Sequence, residues 1–189
     1  GGDLYDAVCI GDRYLVLVVV DASGHGVSAA MLAVLFKLRL RVADEVTGLP
    51  LAPAVALSEM NTRLVKDIKA PGVFFTCVYA VLDVETGELV LASAGHPPAI
   101  CLRESGDYEL LEHTGPALGL DHGATFTERR IHLAAADRVL MYTDGVFDVG
   151  GDSPPDAPSI ARTLHEMTVD VRLLERLLTS VSSGLDRDD

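Results

Sequence analysis

No apolar run in this sequence is long enough to cross a bilayer: Tyr14–Val20 and Val73–Leu82 fall well short of the roughly 18 to 20 residues that a helical span requires. The start of the chain also lacks the charged segment, apolar stretch and small-residue cleavage site of a secretory signal, so a cytoplasmic location is expected. Cysteine is scarce. Cys9, Cys77 and Cys101 are isolated, odd in number and without C-x-x-C spacing, which argues against a disulfide framework and against zinc. Positive charge is scarce as well, with 15 Lys and Arg against 28 Asp and Glu and a net charge of −13. No basic patch is left to neutralise phosphates, so nucleic acid is excluded as the expected partner. Internal repeats and low-complexity tracts are absent. What is present is a 189-residue chain that is 49% hydrophobic and 23% charged, too apolar to be disordered and sized for one domain. Its acidity points towards metal ions, and the placement of the aspartates decides whether that reading holds.

The valine-rich run Arg13–Val20 leads directly into Asp21 and reads as a buried strand with a carboxylate at its end. After a turn at Gly24 and Gly26, apolar residues Val27, Ala30, Met31, Val34, Leu35, Leu38 and Val42 recur at three- and four-residue steps. They predict a helix from Val27 to about Val42 with that stripe buried. A second helix is expected over Pro53–Ile68, with Leu57, Met60, Leu64 and Ile68 inward and Pro53 in the first turn. Val73–Leu82 and Leu89–Ala94 flank the turn Glu85-Thr86-Gly87, and Ala99–Arg103 and Tyr108–Leu111 flank Ser105-Gly106-Asp107, which predicts a meander of two hairpins. Strands near Phe126–Leu133 and Arg138–Thr143 follow, then a surface loop over 150–158 and short helices around Ile160–Met167 and Asp170–Val181. Hairpins grouped with helices, without regular β-α-β alternation, indicate an α+β layered sandwich rather than a doubly wound sheet.

Three aspartates occupy the same kind of place. Asp3 follows Gly1-Gly2, Asp21 precedes Ala22-Ser23-Gly24, and Asp144 precedes Gly145; each borders a strand next to glycine, which lets backbone approach a ligand closely. No lysine stands beside them in sequence. Carboxylates gathered at one end of a sheet need cations, and scattered monodentate aspartates suit hard divalent ions such as Mg²⁺ or Mn²⁺.

The stretches G-G-D-L-Y-D (Gly1–Asp6), V-V-D-A-S-G-H-G (Val19–Gly26), A-G-H-P-P (Ala94–Pro98) and Y-T-D-G (Tyr142–Gly145) stand in this order along the chain. Together with F-F-T-C-V-Y-A-V-L-D (Phe74–Asp83) and G-P-A-L-G-L (Gly115–Leu120), they make the sequence resemble the PPM, or protein phosphatase 2C-like, family. More narrowly it resembles the bacterial SpoIIE and RsbU branch. The resemblance implies a PP2C-like α-β-β-α sandwich of two antiparallel sheets flanked by helices. It implies one domain over 1–189 that lacks the first and last strands of the family. It also implies a two-metal site binding Mn²⁺ or Mg²⁺ through Asp3, Asp21 as the bridging ligand, the backbone carbonyl of Ala22, Asp144 and Asp188, with Asp189 the lesser candidate of the terminal pair. The implied activity is metal-dependent protein serine/threonine phosphatase, in which a metal-activated water attacks phosphoserine or phosphothreonine without a phosphoenzyme. Asp21, Asp3 and Asp144 would then be catalytic through that water. His25 and His96 are candidates for passing a proton to the leaving oxygen or orienting phosphate. Neither directly follows Asp21, so a loop-stabilising hydrogen bond is the expected role of each, with His25 retained as the catalytic candidate. Asp6 is expected to be structural, and Cys77 to lie in the core.

The implied substrate is a phosphorylated anti-anti-sigma protein of the STAS type in a partner-switching stress or sporulation pathway. An upstream sensor domain or activator and a homodimer are the other implied partners, and the Val27–Val42 helix is the candidate switch element. The alternative is a catalytically weak regulatory module that keeps the fold for binding. G-G-D also echoes diguanylate cyclases, but Leu4 stands where those enzymes need an acid. Asp21–Gly26 echoes the nucleotide box of histidine-kinase-like ATPases, but Ser23 replaces its first glycine, and no Walker loop is present.

Overall fold

The computed structural model describes residues 2–68 and 72–145, together with Pro158, Ile160 and Arg162. In chain order the elements are β1 (Asp3–Ile10), β2 (Tyr14–Ala22), α1 (Val27–Arg39), α2 (Pro53–Asp67), β3 (Phe75–Asp83), β4 (Glu88–Ala94), β5 (Ala99–Leu102), β6 (Tyr108–Leu111), β7 (Arg129–His132) and β8 (Arg138–Leu140). They form two antiparallel sheets, one ordered β1-β2-β3-β4-β7 and the other β6-β5-β8. Both helices pack on the first sheet, α1 against β1 and β2 and α2 against β3 and β4. This is the expected α+β sandwich. By contacts the chain divides into two units, Gly1–Pro155 and Asp156–Asp189. Of the second, Pro158, Ile160 and Arg162 are described, and all three are helical. The expected helices around Ile160–Met167 and Asp170–Val181 and the 150–158 loop otherwise lie outside the described residues. Among the described residues no helix is long and apolar enough to cross a membrane.

Strand alternation sorts the core into two layers. Val16, Val18, Val20 and Ala22 of β2 and Phe75, Cys77 and Tyr79 of β3 face the helices, where Phe36, Leu57, Met60 and Leu64 meet them. Residues of opposite parity, Leu17, Ala80, Leu89 and Leu91, face the second sheet and meet Ala99, Cys101 and Leu111. Asp3, Asp21 and Thr76 share that second parity, which sets them on the side of the first sheet turned towards its partner. The three cysteines are free, and Cys77 is buried in the core as expected.

Four local features depart from the sequence expectations. First, β1 is a strand that the apolar-run reading passed over. Its alternating burial comes from Leu4, Val8 and Ile10 with Asp6 on the same side, and Asp6 is accommodated there by an ion pair with Lys37 of α1.

Second, α1 buries a different face. Ala29, Ala33 and Phe36 are inward, whereas Val27, Met31, Val34 and Leu38, expected to be buried, are 78%, 68%, 58% and 76% exposed. The helix is apolar on most sides, so periodicity could not choose the contact face. Close packing does. A Cβ on Gly2 would lie 2.6 Å from the Ala22 oxygen and 3.1 Å from the Ala29 Cβ, an approach open only to small residues. The helix also stops at Arg39, and Leu40 is already extended.

Third, the two central hairpins do not form one meander: β3-β4 belongs to the first sheet and β5-β6 to the second. The crossover between them, Gly95–Pro98, turns on Gly95 with φ +59°, where a Cβ would sit 2.9 Å from the Ala117 amide nitrogen. Fourth, β7 and β8 are shorter than expected. Phe126 packs against Gly115 instead of pairing, and the chain leaves β8 after Leu140.

Because Gly95 combines a left-handed backbone with a close backbone contact, Gly95→Ala should destabilise the fold by about 1–3 kcal/mol in urea unfolding. An unchanged midpoint would contradict this account of the crossover.

Candidate metal centre

The register of β1 with β2 sets Asp3 directly opposite Asp21. Like charges in that position repel, and an ordinary sheet surface avoids them. Asp144 reaches the same place from the second sheet, four residues beyond the end of β8. One carboxylate oxygen from each of Asp3, Asp21 and Asp144 lies within 4.8 Å of the other two. Two sheets thus bring together three residues that are 18 and 123 positions apart in sequence.

The electrostatic consequence falls on Asp21, the most enclosed of the three. Burial, then the neighbouring charges of Asp144 and Asp3, raise its pKa from 3.8 to about 6, and a hydrogen bond with Asp3 adds to the effect. Every described ion pair is made elsewhere, for example Arg13 with Asp83, Lys37 with Asp6 and Arg103 with Asp137. The donor set is all oxygen, mutually repelling and without a described basic side chain to balance it. That chemistry fits hard divalent cations.

Around the three carboxylates the turn after β2 is tightly built. The Ala22 amide donates to the Gly2 carbonyl at 3.2 Å, and the Ser23 amide donates to the Phe74 carbonyl at 2.9 Å. The Phe74 amide in turn donates to the Ser23 hydroxyl at 3.0 Å. Ala22 itself is buried, with its carbonyl oxygen against Gly2. His25 is exposed just ahead of α1, and its backbone carbonyl accepts from the Ser28 hydroxyl. His96 is the opposite case. It is 2% exposed, with Nδ1 2.8 Å from the Thr76 hydroxyl and Nε2 2.9 Å from the Tyr142 carbonyl oxygen. Burial lowers its pKa, while the Tyr142 carbonyl and the charges of Asp144 and Asp3 pull the other way. Both ring nitrogens are thus in hydrogen bonds, the kind of contact expected for this histidine. Asp188 and Asp189 lie outside the described residues.

Sequence reasoning passed over Ser23 and Thr76. Thr76 is directly opposite Asp21 in the β2–β3 register. The available signal was a single threonine in the otherwise apolar and aromatic run Val73–Leu82. Ser23 had no comparable signal, since serine in a glycine-rich turn is ordinary.

A carboxylate whose folded pKa is raised is held more tightly as the acid in the fold. The contribution of Asp21 to stability is therefore present at low pH and lost as pH rises from about 4 through about 6. In chelator, Asp21→Asn should melt higher than the natural sequence above pH 6, and the gap should close as pH falls towards 4. With saturating Mn²⁺ the order should reverse, because only the natural sequence gains from the ion. Parallel melting curves for the two proteins in both conditions would remove the site.

A family model described as stage II sporulation protein E (SpoIIE) matches residues 11–189. Protein IcfG of Synechocystis is 31% identical over an alignment covering 78% of this chain and 27% of IcfG. Phosphoserine phosphatase RsbP of Bacillus subtilis is 28% identical, covering 78% of this chain and 36% of RsbP. The crystal structure of the RsbU and RsbW domains of Rv1364c from Mycobacterium tuberculosis superposes with a TM-score of 0.68 at 30% identity, covering 86% of this chain and 44% of that one. The chain thus spans less than half the length of each of these relatives.

Proposed function

This chain belongs to the stage II sporulation protein E (SpoIIE) family, and from that premise we propose that it is a metal-dependent protein phosphatase acting on phosphoserine or phosphothreonine. The observation that carries the reading is the meeting of Asp3, Asp21 and Asp144 within 4.8 Å, across two sheets. Similarity to a phosphoserine phosphatase supports it.

In this reading Asp3, Asp21 and Asp144 hold two divalent cations, Mn²⁺ or Mg²⁺, with the Ala22 carbonyl and Asp188 completing the set. When bound, the ions supply positive charge for the phosphoryl oxygens and acidify a water for in-line attack. Asp21, opposite Asp3 and influenced by the charges of both Asp3 and Asp144, would be the ligand shared between the ions. Four aspartates balance two divalent ions, so a phosphate can enter where bare carboxylates would repel it. His25, exposed four residues beyond Asp21, is the candidate donor of a proton to the leaving serine oxygen. His96 has both ring nitrogens engaged and is assigned no proton transfer.

The substrate in this reading is a small phosphorylated anti-anti-sigma protein of the STAS type, within a partner-switching pathway in the cytoplasm. An upstream sensor or activator would govern the activity, and a homodimer is part of the same proposal.

Phosphate release from a phosphoserine protein and from a generic aryl phosphate, with Mn²⁺, Mg²⁺ or chelator, tests this. Turnover should require metal, and Asp21→Asn should lower it by about a hundredfold or more, equivalent to roughly 2.7 kcal/mol of transition-state stabilisation. Turnover that survives chelation, or that Asp21→Asn leaves intact, would reject the proposal. Absence of turnover in the natural sequence under all metals would favour a binding module.

A further inference from the structure

We propose that His96 is a positioning residue that sets the separation of Asp21 and Asp144, and so the affinity of the centre for divalent cations. This rests on the metal-centre reading above. His96 sits in the crossover Gly95–Pro98, where the chain passes from β4 of the first sheet to β5 of the second. It is 2% exposed, and both ring nitrogens are used.

The two bonds assign the tautomer. A carbonyl oxygen only accepts, so the nitrogen 2.9 Å from the Tyr142 oxygen, Nε2, carries the hydrogen and donates it. Nδ1 is then the bare nitrogen, and the Thr76 hydroxyl 2.8 Å away donates to it. The imidazole is held at both ring nitrogens, by a side chain of β3 in the first sheet and by the backbone just beyond β8 of the second.

What those groups adjoin gives the ring its function. Thr76 is the register partner of Asp21. Tyr142 lies two residues before Asp144, in the stretch that follows β8. One ring therefore links the strand beside Asp21 to the backbone that delivers Asp144. A centre whose ligands come from two sheets depends on the gap between the sheets, and this ring spans the gap at the level of the carboxylates. An apolar side chain of similar size would fill the space but leave the Tyr142 carbonyl and the Thr76 hydroxyl without these partners.

Two substitutions separate the bonds. Glutamine extends its amide to about where Nε2 lies and can keep the donor to Tyr142. Asparagine reaches only as far as Nδ1 and can keep the acceptor for Thr76. Since Tyr142 carries the connection to Asp144, the glutamine variant should be the one that rescues.

The test is Mn²⁺ binding by titration calorimetry, with metal-free melting and the Mn²⁺ dependence of phosphate release measured on the same proteins. His96→Ala should weaken Mn²⁺ binding about 10- to 100-fold, the range typical of residues that orient ligands. The Mn²⁺ concentration for half-maximal turnover should rise in step, while kcat at saturating Mn²⁺ falls much less. His96→Gln should recover most of the affinity, and His96→Asn should resemble His96→Ala. If His96→Ala does not fold, the Gln and Asn pair, with Thr76→Val as a milder perturbation of the same ring, carries the comparison. Natural affinity in folded His96→Ala, or equal affinity in the Gln and Asn variants, overturns the positioning role while leaving the metal reading intact. If the natural sequence itself binds no Mn²⁺, the metal reading fails and this proposal fails with it.

Discussion

Electrostatic repulsion among Asp3, Asp21 and Asp144 is the constraint on which the rest of this structure turns. Antiparallel pairing of β1 with β2 places two carboxylates face to face, and the second sheet adds a third. A sheet surface ordinarily avoids such an arrangement, because opposed like charges disfavour the pairing that creates them. Here the pairing is maintained by what surrounds it. β2 is the second strand of a five-stranded sheet, and Val16, Val18 and Val20 behind Asp21 are almost wholly buried. Hydrophobic burial on one face of the strand thus holds opposed carboxylates on the other, and the enclosure of Asp21, then the charges of Asp144 and Asp3, raise its pKa.

The packing around the carboxylates follows from the need to hold backbone at close range. Gly2, Ala22 and Ala29 form a column of small residues between β1, β2 and α1, so the helix sits close above the strand end that bears Asp21. Large apolar side chains would have kept α1 away. Val27, Met31, Val34 and Leu38 are instead on its outer face, and the large Phe36 enters the core two turns beyond Ala29. The loop side is held differently, by hydrogen bonds. Asn61 of α2 accepts from the Gly119 amide at 2.8 Å and donates to the Asp121 carbonyl at 2.7 Å, while Ser23 and His96 hold the turn after β2 and the approach to Asp144.

Much of this could be read along the chain. The valine-rich strand, Asp21 at its end, the glycine turn after it, α2 with its inward Leu57, Met60 and Leu64, and the turns at residues 85–87 and 105–107 are local patterns with local causes. The three aspartates could be singled out because each borders a strand beside glycine. The buried face of α1 could not be read, since the helix offers apolar residues on several sides and its neighbours choose among them. β1 was obscured by Asp6, whose inward position makes sense only once Lys37 of α1 is beside it.

The sequence by itself determined the kinds of element and the chemical character of the centre, because strand alternation, helix periodicity, turn glycines and oxygen donors act over a few residues. The tertiary structure alone decided which sheet each hairpin joins, which side of α1 is covered, and that a histidine in the crossover ties Thr76 to Tyr142. Those outcomes depend on contacts between residues dozens of positions apart. Their energies are settled only when close backbone approach, buried polar groups and opposed charges are satisfied together.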